Sequence, residues 1–344
     1  MRILLVHPGA DFSISDVAAG LRAALVAQGH EIADYVLTRR MAYHASAMEA
    51  GGVVSTQATQ AMVCKQASEN VIVEALYHRA DLVLVISGLN FHPIGLWLLD
   101  QMREPRIPVA VVFTESPYED RQQKEWASAY PDALIFTHDR FSARRHGWHY
   151  LPHAFDPVVH RPVPADPDEA CDVLLVATGW PARQTLIEKV NWSGITLRLI
   201  GPWPNLLADH PLKAVHEDAC VPNADLPRLY ASAKICLNHF RPHPQAESLS
   251  PRSYEVAACG AFQISDARPE LIEIFGETVP TYRDASELEG LIRYYLAHDD
   301  ERRQLADRAR ALVQGETFHK RAADLMRVVQ GAAPTLRAAG FVTT

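Results

Sequence analysis

The chain has 344 residues, a length that suits two domains. Hydrophobic residues make up 48% and charged residues 22% of it, so each domain can bury a core of ordinary size. The formal net charge of −8 argues against a protein whose main task is to bind nucleic acid, because such proteins usually carry a basic surplus.

The cysteines and the N-terminus indicate the compartment. Five cysteines are scattered without a Cys-x-x-Cys pair, and we interpret them as reduced, mostly buried thiols. The opening run MRILLVHPG is too short in apolar length for a signal peptide and predicts a buried strand. The most apolar window, Asp81 to Leu99, is broken by Asn90, His92 and Pro93. We therefore expect a cytoplasmic protein without a membrane span.

Strand-like and helix-like runs alternate through the first half of the chain, with strands expected at 2–7, 31–37, 82–86, 108–113, 133–136 and 149–151. Helices are expected at 16–28 and 57–78, and residues 39–56 are predicted to be an irregular loop, either contacting an acceptor or forming a surface insertion. This alternation predicts a parallel, doubly wound α/β sheet whose ligands bind at the carboxyl ends of the strands. The Gly-x-Gly-x-x-Gly fingerprint of dinucleotide-binding proteins is absent after the first strand.

The proline-rich stretch LPHAFDPVVHRPVP, residues 151–164, marks the passage to a second domain. Beyond it the alternation resumes, with strands expected at 172–177, 196–200, 235–238 and near 278, and helices at 225–233, 286–298, 300–313 and 319–329. We predict domains at 1–160 and 161–316, a crossing helix at 317–331 and a loose tail at 332–344.

One stretch, ESLSPRSYEVAACGAFQISD from Glu247 to Asp266, has the pattern of a ligand site. Ser250 is a helix cap followed by proline, and Gly260 is placed to end the helix. A helix N-terminus offers free N–H groups and a positive dipole end. Glu247, Arg252 and Glu255 would then frame a phosphate-accepting corner, as in a donor site for a nucleotide sugar.

The run RSYEVAACGAFQISDARPELIEIF resembles the signature of the CgeB-type (YkvP-like, spore-maturation) glycosyltransferases, relatives of glycosyltransferase family 4. The similarity continues through ELEGLIRYYLAHDDERRQLADRARALV and TFHKRAADLM, and more loosely through DVLLVATGWPARQTLIEKV and YLPHAFDPVVHRP. It covers roughly residues 80 to 330. The resemblance implies a GT-B fold, in which two Rossmann-like domains face a central cleft. Residues 1–160 would then bind the acceptor and 161–316 the donor.

The resemblance also implies roles for the charged residues. Glu255 would hold the donor ribose, unless it is a solvent-facing helix glutamate. Glu247 would contact the transferred sugar or its diphosphate, unless it is an ordinary loop carboxylate. Arg252 is a cation where the helix dipole prefers anions, which favours a bound diphosphate over a surface salt bridge. Arg183, shortly after Gly179, would clamp the diphosphate.

Two further segments are expected to line the donor pocket. Gly201 to Trp203 and Cys220 to Asn223 would enclose the nucleobase, unless they are structural turns. Asn238 and His239 would line the sugar pocket, and a metal is not expected because no second histidine cluster completes a zinc site. The expected donor-binding residues are Gly179, Trp180, Arg183, Gly201, Trp203, Val221, Asn238, His239, Ser250, Arg252, Ser253 and Glu255.

The acceptor side is predicted from the first half of the chain. Glu115 in FTESPYED would orient an acceptor hydroxyl, unless it caps the helix that starts near Tyr118. The expected catalytic residues are Glu115, Glu247 and Arg183. The expected acceptor-binding residues are Gly9, Asp11, His92, Glu115 and His153.

The function implied by the resemblance is transfer of a hexose or pentose from a nucleoside diphosphate sugar, a UDP-sugar first, to an acceptor hydroxyl. Family 4 suggests retention of anomeric configuration, and no metal or cofactor is expected because the helix dipole and arginines stabilise the leaving diphosphate. One alternative is a phage-type enzyme that glycosylates a DNA base, with a basic groove of Arg39, Arg40, Arg140, Arg144 and Arg145. Another is a catalytically silent sugar-nucleotide binding protein of coat or envelope assembly. The acceptor (glycan, protein, small molecule or DNA base) and the oligomeric state stay open.

Overall fold

The computed structural model describes residues 1–9, 14–53, 57–87, 107–129 and 131–338. The chain divides into two compact units, one of Met1–Pro152 with Phe318–Thr344 and the other of His153–Thr317. The break therefore falls within the proline-rich stretch, after Pro152, whereas the sequence placed it at residue 160. The C-terminal helix belongs to the first unit.

The first unit contains a six-stranded sheet in the order β2-β1-β3-β4-β5-β6. All of its neighbouring strands pair in parallel, as the alternating pattern predicted. The central strands are continuous apolar runs because a parallel sheet is covered on both faces. Their bounds are β1 Arg2–His7, β2 Glu31–Val36, β3 Leu82–Ser87, β4 Val109–Phe113, β5 Leu134–Thr137 and β6 His149–Tyr150.

The described helices of the first unit are α1 Ser15–Ala27, α2 Leu37–Ala50, α3 Gln57–Tyr77, α4 Asp120–Ala129, α5 Arg140–His146 and, from the chain's end, α12 Phe318–Ala338. The ring of Phe318 packs on Gly20 of α1, where a Cβ atom would lie 2.2 Å from it. Two predictions were wrong here. The expected loop at 39–56 is largely helix α2, and residues 332–338 of the expected loose tail continue α12, because Ala, Met, Leu and Arg favour helix even without a clear apolar stripe. Residues 339–344 of that tail lie outside the described residues.

The second unit contains another six-stranded parallel sheet, in the order β12-β11-β10-β7-β8-β9. Its strands are β7 Cys171–Val176, β8 Leu197–Ile200, β9 His216–Glu217, β10 Ala233–Asn238, β11 Gln263–Asp266 and β12 Thr281–Tyr282. The two-residue strand β9 was not predicted because it is too short to show a period. The loops after β7, β8, β10 and β11 lie at one edge of this sheet.

Helices α6 Pro181–Lys189, α7 Leu226–Ser232, α8 Pro251–Ala258, α9 Pro269–Phe275, α10 Ala285–Ala297 and α11 Asp299–Val313 complete the second unit. Helix α8 packs into two apolar clusters: Tyr254 and Ala257 join Leu271 and Phe275, while Val256 joins Tyr230. Residues Ser253 to Ala258 are all buried as a result. The polar groups of α8 are thus held in fixed positions.

Candidate functional site

Helix α8 begins and ends as its sequence predicts. Ser250 is the N-cap residue and Pro251 the first helical residue. Gly260 adopts a φ of 70°, and the Ala261 N–H donates to the Val256 carbonyl at 3.1 Å, which closes the C-terminus. The Ser250 hydroxyl, however, makes no capping hydrogen bond to the helix. It is therefore available to a ligand.

The first turn of α8 carries several unsatisfied polar groups. The buried Oγ atoms of Ser250 and Ser253 have no hydrogen-bond partner within the described residues. Arg252 is half-buried and forms no hydrogen bond or ion pair with any described residue. Pro251 lacks an N–H, and the Ser253 N–H donates to the Ser250 carbonyl at 3.1 Å. Buried polar atoms are nearly always paired, so this turn has the chemistry of an anion site.

A short hydrogen-bond chain extends this polar surface to the end of β10. The Asn238 amide donates to Gln263 Oε1 at 2.6 Å, and Gln263 Nε2 donates to the Ser253 carbonyl at 2.9 Å. Because the carbonyl can only accept, the orientation of both amides is fixed. Asn238 Oδ1 is left buried and unpartnered in the described structure, as an acceptor.

His239 offers a second acceptor. The Tyr282 hydroxyl donates its proton to the Asn238 carbonyl at 2.8 Å, so the contact of 3.1 Å with His239 requires Nδ1 of the imidazole to donate. Burial, together with the nearby charges of Arg183 and Arg268, lowers the pKa of His239 to about 4. The ring is therefore neutral at pH 7. Its buried Nε2 carries a lone pair that no described residue contacts.

Two residues that the sequence analysis missed hold the loop between β10 and α8. Asp266 accepts the Phe240 N–H at 2.9 Å, and burial raises the pKa of this carboxyl to about 6. The buried guanidinium of Arg268 donates to the carbonyls of Arg241 and Ala246 at 2.7 and 2.8 Å. Asp266 lies at the end of a predicted strand, and that position could have indicated a site residue.

Arg183 is placed differently from expectation. Its side chain is buried, and its two terminal nitrogens donate to the carbonyls of Thr178 and His239. The guanidinium thus joins the loop after β7 to the loop after β10. Arg183 supports the edge of the sheet, and its contact with a diphosphate stays a prediction.

Trp203 is placed differently from expectation, and its contact with a nucleobase stays a prediction. Trp203 is 3% exposed, lies in the core of the second unit and donates from Nε1 to the Ala177 carbonyl at 2.9 Å. Gly179 is required by this ring, since a Cβ there would lie 2.3 Å from it. Gly201 has a φ of 133° and its Cβ would lie 2.5 Å from the same carbonyl. Gly179, Gly201 and Trp203 thus form a structural turn. Trp180, by contrast, is 38% exposed, and the guanidinium of Arg241 lies over its ring.

Glu255 is buried, which excludes a solvent-facing glutamate. It is 7% exposed, and Oε2 accepts a long hydrogen bond of 3.5 Å from the Tyr230 hydroxyl. His160 Nε2 lies 4.0 Å from Oε1. Val221 packs against the apolar cluster that contains Tyr230, so the structure brings the 220–223 loop and Glu255 into one neighbourhood.

Glu247 is half-buried in the loop before α8. Its carbonyl accepts the Glu270 N–H at 3.1 Å, and the Glu270 carboxylate accepts the Leu249 N–H at 2.6 Å and the Tyr254 hydroxyl at 3.2 Å. Glu270 therefore anchors the loop that carries Glu247. The role of the Glu247 side chain itself stays a prediction.

The predicted acceptor residues do not form one described cluster. Gly9 follows β1 and packs on Thr38, where a Cβ would lie 2.7 Å from Oγ1. Glu115 follows β4 and is half-buried. Asp11 and His92 lie outside the described residues, and His153 belongs to the second unit.

A histidine that the site prediction omitted stands at the end of β1. His7 Nδ1 is buried without a partner in the described structure, and Nε2 lies 4.0 Å from Asp34 Oδ1. Burial lowers the pKa of His7, which Asp34 partly opposes. The position of His7 at the carboxyl edge of the sheet was the signal for it.

Metal-ligand and membrane features were sought in the same described ranges. They contain no group of three or more His, Cys, Asp or Glu side chains arranged to hold a metal ion. None of their helices combines the length and apolar character needed to span a bilayer.

Part of the sequence is similar to known proteins. Residues 183–327 match the family described as glycosyl transferase-like. The chain is 26% identical to the spore protein CgeB of Bacillus subtilis (strain 168) over 152 residues, which are 39% of this chain and 46% of that protein. It thus aligns with about half of the length of this relative.

Solved structures support the fold over nearly the whole chain. Sucrose-phosphate synthase from Thermosynechococcus elongatus superposes with a TM-score of 0.66 at 14% identity, covering 97% of this chain and 99% of that one. Anabaena Alr3699/HepE, solved in complex with UDP-glucose, gives a TM-score of 0.66 at 13% identity, covering 95% and 100%. The chain thus has a GT-B fold, is similar over part of its length to a CgeB protein, and matches a glycosyl transferase-like family at residues 183–327.

Proposed function

We propose that this protein is a glycosyltransferase that takes its sugar from a nucleoside diphosphate sugar, a UDP-sugar first, bound by the second unit. One observation carries the proposal. The first turn of α8 holds a half-buried arginine and two buried hydroxyls that have no hydrogen-bond partner in the described part of the chain, one helical turn before the buried carboxylate of Glu255. These groups match a diphosphate followed by a ribose.

The diphosphate would lie at the N-terminus of α8. Ser250 Oγ, Ser253 Oγ and the Arg252 N–H would donate to phosphate oxygens, and the Arg252 guanidinium would add a positive charge. Negative charge grows on the leaving diphosphate as the glycosidic bond breaks. Fixed donors and a helix dipole at that position stabilise the transition state more than the bound substrate.

The ribose and the sugar would be held by acceptors. The Glu255 carboxylate would accept hydrogen bonds from the ribose hydroxyls, and the lone pairs of His239 Nε2 and Asn238 Oδ1 would accept from hydroxyls of the transferred sugar. The identity of that sugar, hexose or pentose, would follow from which hydroxyls reach these two atoms. Retention of configuration is part of the same proposal.

A DNA base as acceptor has less support than a smaller hydroxyl acceptor. Arg40 is paired with Glu74 and lies over the Tyr35 ring, so it is engaged within the first unit. We expect that duplex DNA does not retain the protein even at 50 mM salt. Retention that falls steeply with salt would support phosphate contacts instead.

The test is nucleotide binding followed by donor turnover. A thermal-shift screen of UDP, GDP, ADP and their glucose conjugates should raise the unfolding midpoint for one base, since ligand at about 100 times Kd stabilises by about 2.7 kcal/mol. The same donor should be hydrolysed slowly without acceptor. Binding without hydrolysis or transfer would favour the catalytically silent sugar-nucleotide protein, and no shift with any nucleotide would contradict both.

A further inference from the structure

A buried histidine connects the proline-rich stretch to the neighbourhood of Glu255. His160 is 2% exposed, and its Nδ1 accepts the Asp156 N–H at 3.2 Å. A backbone N–H can only donate, so Nδ1 carries the lone pair and Nε2 carries the proton of the neutral ring. Burial lowers the pKa of His160, which agrees with a neutral ring. Nε2 then donates to Asn223 Oδ1 at 3.0 Å.

These two hydrogen bonds of His160 fix the orientation of the Asn223 side-chain amide. Because Oδ1 accepts from His160, the amide cannot turn over without breaking that bond. Its two N–H groups therefore face away from His160, and no described residue accepts from them. Asn223 is half-buried, so these donors remain open to a ligand.

Asn223 and Glu255 flank the same imidazole nitrogen. Nε2 of His160 lies 3.0 Å from the amide oxygen of Asn223 and 4.0 Å from Oε1 of Glu255. Asn223, whose amide nitrogen can donate, and Glu255, whose carboxylate can accept, therefore both lie next to His160. A sugar hydroxyl needs this combination, because it donates one hydrogen bond and accepts others.

We propose that Asn223 is a ribose-binding residue, positioned by His160, which together with Glu255 recognises the 2′-hydroxyl of the donor nucleotide. This inference rests on the proposed function, which places the ribose at Glu255. The carboxylate accepts the hydroxyl proton, and the Asn223 amide donates to the hydroxyl oxygen. The site would then select ribonucleoside over 2′-deoxyribonucleoside diphosphates.

The preference for ribonucleotides follows because a 2′-deoxy ligand would leave two protein groups without a hydrogen-bond partner. Without a 2′-hydroxyl, a carboxylate oxygen and an amide N–H lose their partner where water enters poorly. Sites built to bind a hydroxyl discriminate strongly against analogues that lack it. We expect the wild-type protein to bind the ribonucleotide about ten- to a hundredfold more tightly than its 2′-deoxy form.

Calorimetric titration of matched nucleotides tests the proposal. UDP, GDP and ADP and their 2′-deoxy forms would be titrated into the wild-type protein, and the best pair into Asn223→Ala, His160→Phe and His160→Gln. Asn223→Ala should weaken ribonucleotide binding and bring the ribo/deoxy affinity ratio to within about threefold of unity. Asn205→Ala, a change at an exposed asparagine of the same unit, should leave the ratio unchanged.

The His160 variants separate positioning from folding. Phenylalanine fills the space but cannot donate, so the ratio should fall. Glutamine places an N–H near the position of Nε2, so His160→Gln should restore much of the ribo/deoxy affinity ratio. A merely structural role would change the unfolding midpoint and leave the ratio intact. If His160→Phe does not fold, the ribo/deoxy affinity ratio of Asn223→Ala still tests the proposal.

The outcomes distinguish the two proposals. Equal affinity of the wild-type protein for the ribo and deoxy forms, or an unchanged ratio in Asn223→Ala, would overturn this inference while leaving the nucleotide site in place. No binding of any nucleotide would overturn the proposed function and this inference with it.

Discussion

The two units share a fold and differ in how their buried polar groups are satisfied. In the first unit, the fully buried Ser142 hydroxyl donates to Asp120 at 2.8 Å and Ser116 donates to Gln123 at 2.7 Å. In the second unit, the fully buried Ser253 hydroxyl has no partner among the residues described, and neither does Nε2 of His239. Satisfied groups serve stability, whereas unsatisfied ones that converge at a sheet edge indicate a ligand.

His7 limits this contrast, because the first unit also has an unpartnered buried nitrogen at the end of a strand. It lies beside Asp34, which is held by Arg22 at 2.7 Å. The difference between the units is therefore one of degree: separate atoms in the first unit, against a hydrogen-bonded group around α8 in the second.

The largest expected effect is on nucleotide affinity. Glu255→Ala should weaken binding of the preferred nucleotide at least about a hundredfold, because two hydrogen bonds to a charged group are lost. Glu115→Ala in the first unit should leave that affinity unchanged and lower only transfer to acceptor. Calorimetry measures both, with the exposed Glu277→Ala as control. Equal losses in the Glu115 and Glu255 variants would remove the distinction between the units.

The pH dependence of stability tests a buried histidine of the first unit. Burial lowers the pKa of His138 to about 4, against 6.5 in an unfolded chain, and Nδ1 donates to the Leu151 carbonyl. The unfolded state therefore binds the extra proton first. The contribution to the free energy of unfolding is complete above pH 6.5 and decreases as pH falls towards 4, by about 3 kcal/mol.

His138→Phe should flatten this part of the pH dependence, as measured by urea unfolding between pH 7 and 4. Nucleotide affinity at pH 7 should not change. An unaltered slope between pH 6.5 and 4 would show that His138 is not held neutral in the folded protein.

Two fully buried serines provide a matched pair. Ser142→Ala should lower the free energy of unfolding by about 1 to 2 kcal/mol, because it removes a hydroxyl donor from the Asp120 carboxylate, and should not affect nucleotide binding. Ser253→Ala should leave stability nearly unchanged and weaken nucleotide binding about five- to tenfold. Urea unfolding and calorimetry on both variants would show this crossover. A stability loss in Ser253→Ala without an affinity loss would mean that its hydroxyl is structural.

The smallest expected effect is that of chelation. The helix N-terminus and Arg252 place positive charge where the diphosphate would bind, so turnover in excess EDTA should stay within about twofold. If EDTA abolished turnover and manganese or magnesium restored it, a metal ion would be needed to bind the diphosphate.

Local chemistry explains which features could be predicted from the sequence. The parallel sheets follow from apolar runs alternating with helical segments, and the limits of α8 from Ser250, Pro251 and Gly260. Trp203 could not be placed, because its burial depends on Gly179 in another loop. His160 and Asn223 were missed as a pair since 63 positions separate them and neither belongs to a recognisable motif.

Hydrogen exchange with and without saturating nucleotide tests the central claim most directly. The account predicts slower exchange at the first turn of α8, above all at the Arg252 amide, and in the 220–223 loop, with no change in α4 and α5 of the first unit. Protection confined to the first unit, or none around α8 at saturation, would contradict a nucleotide site in the second unit.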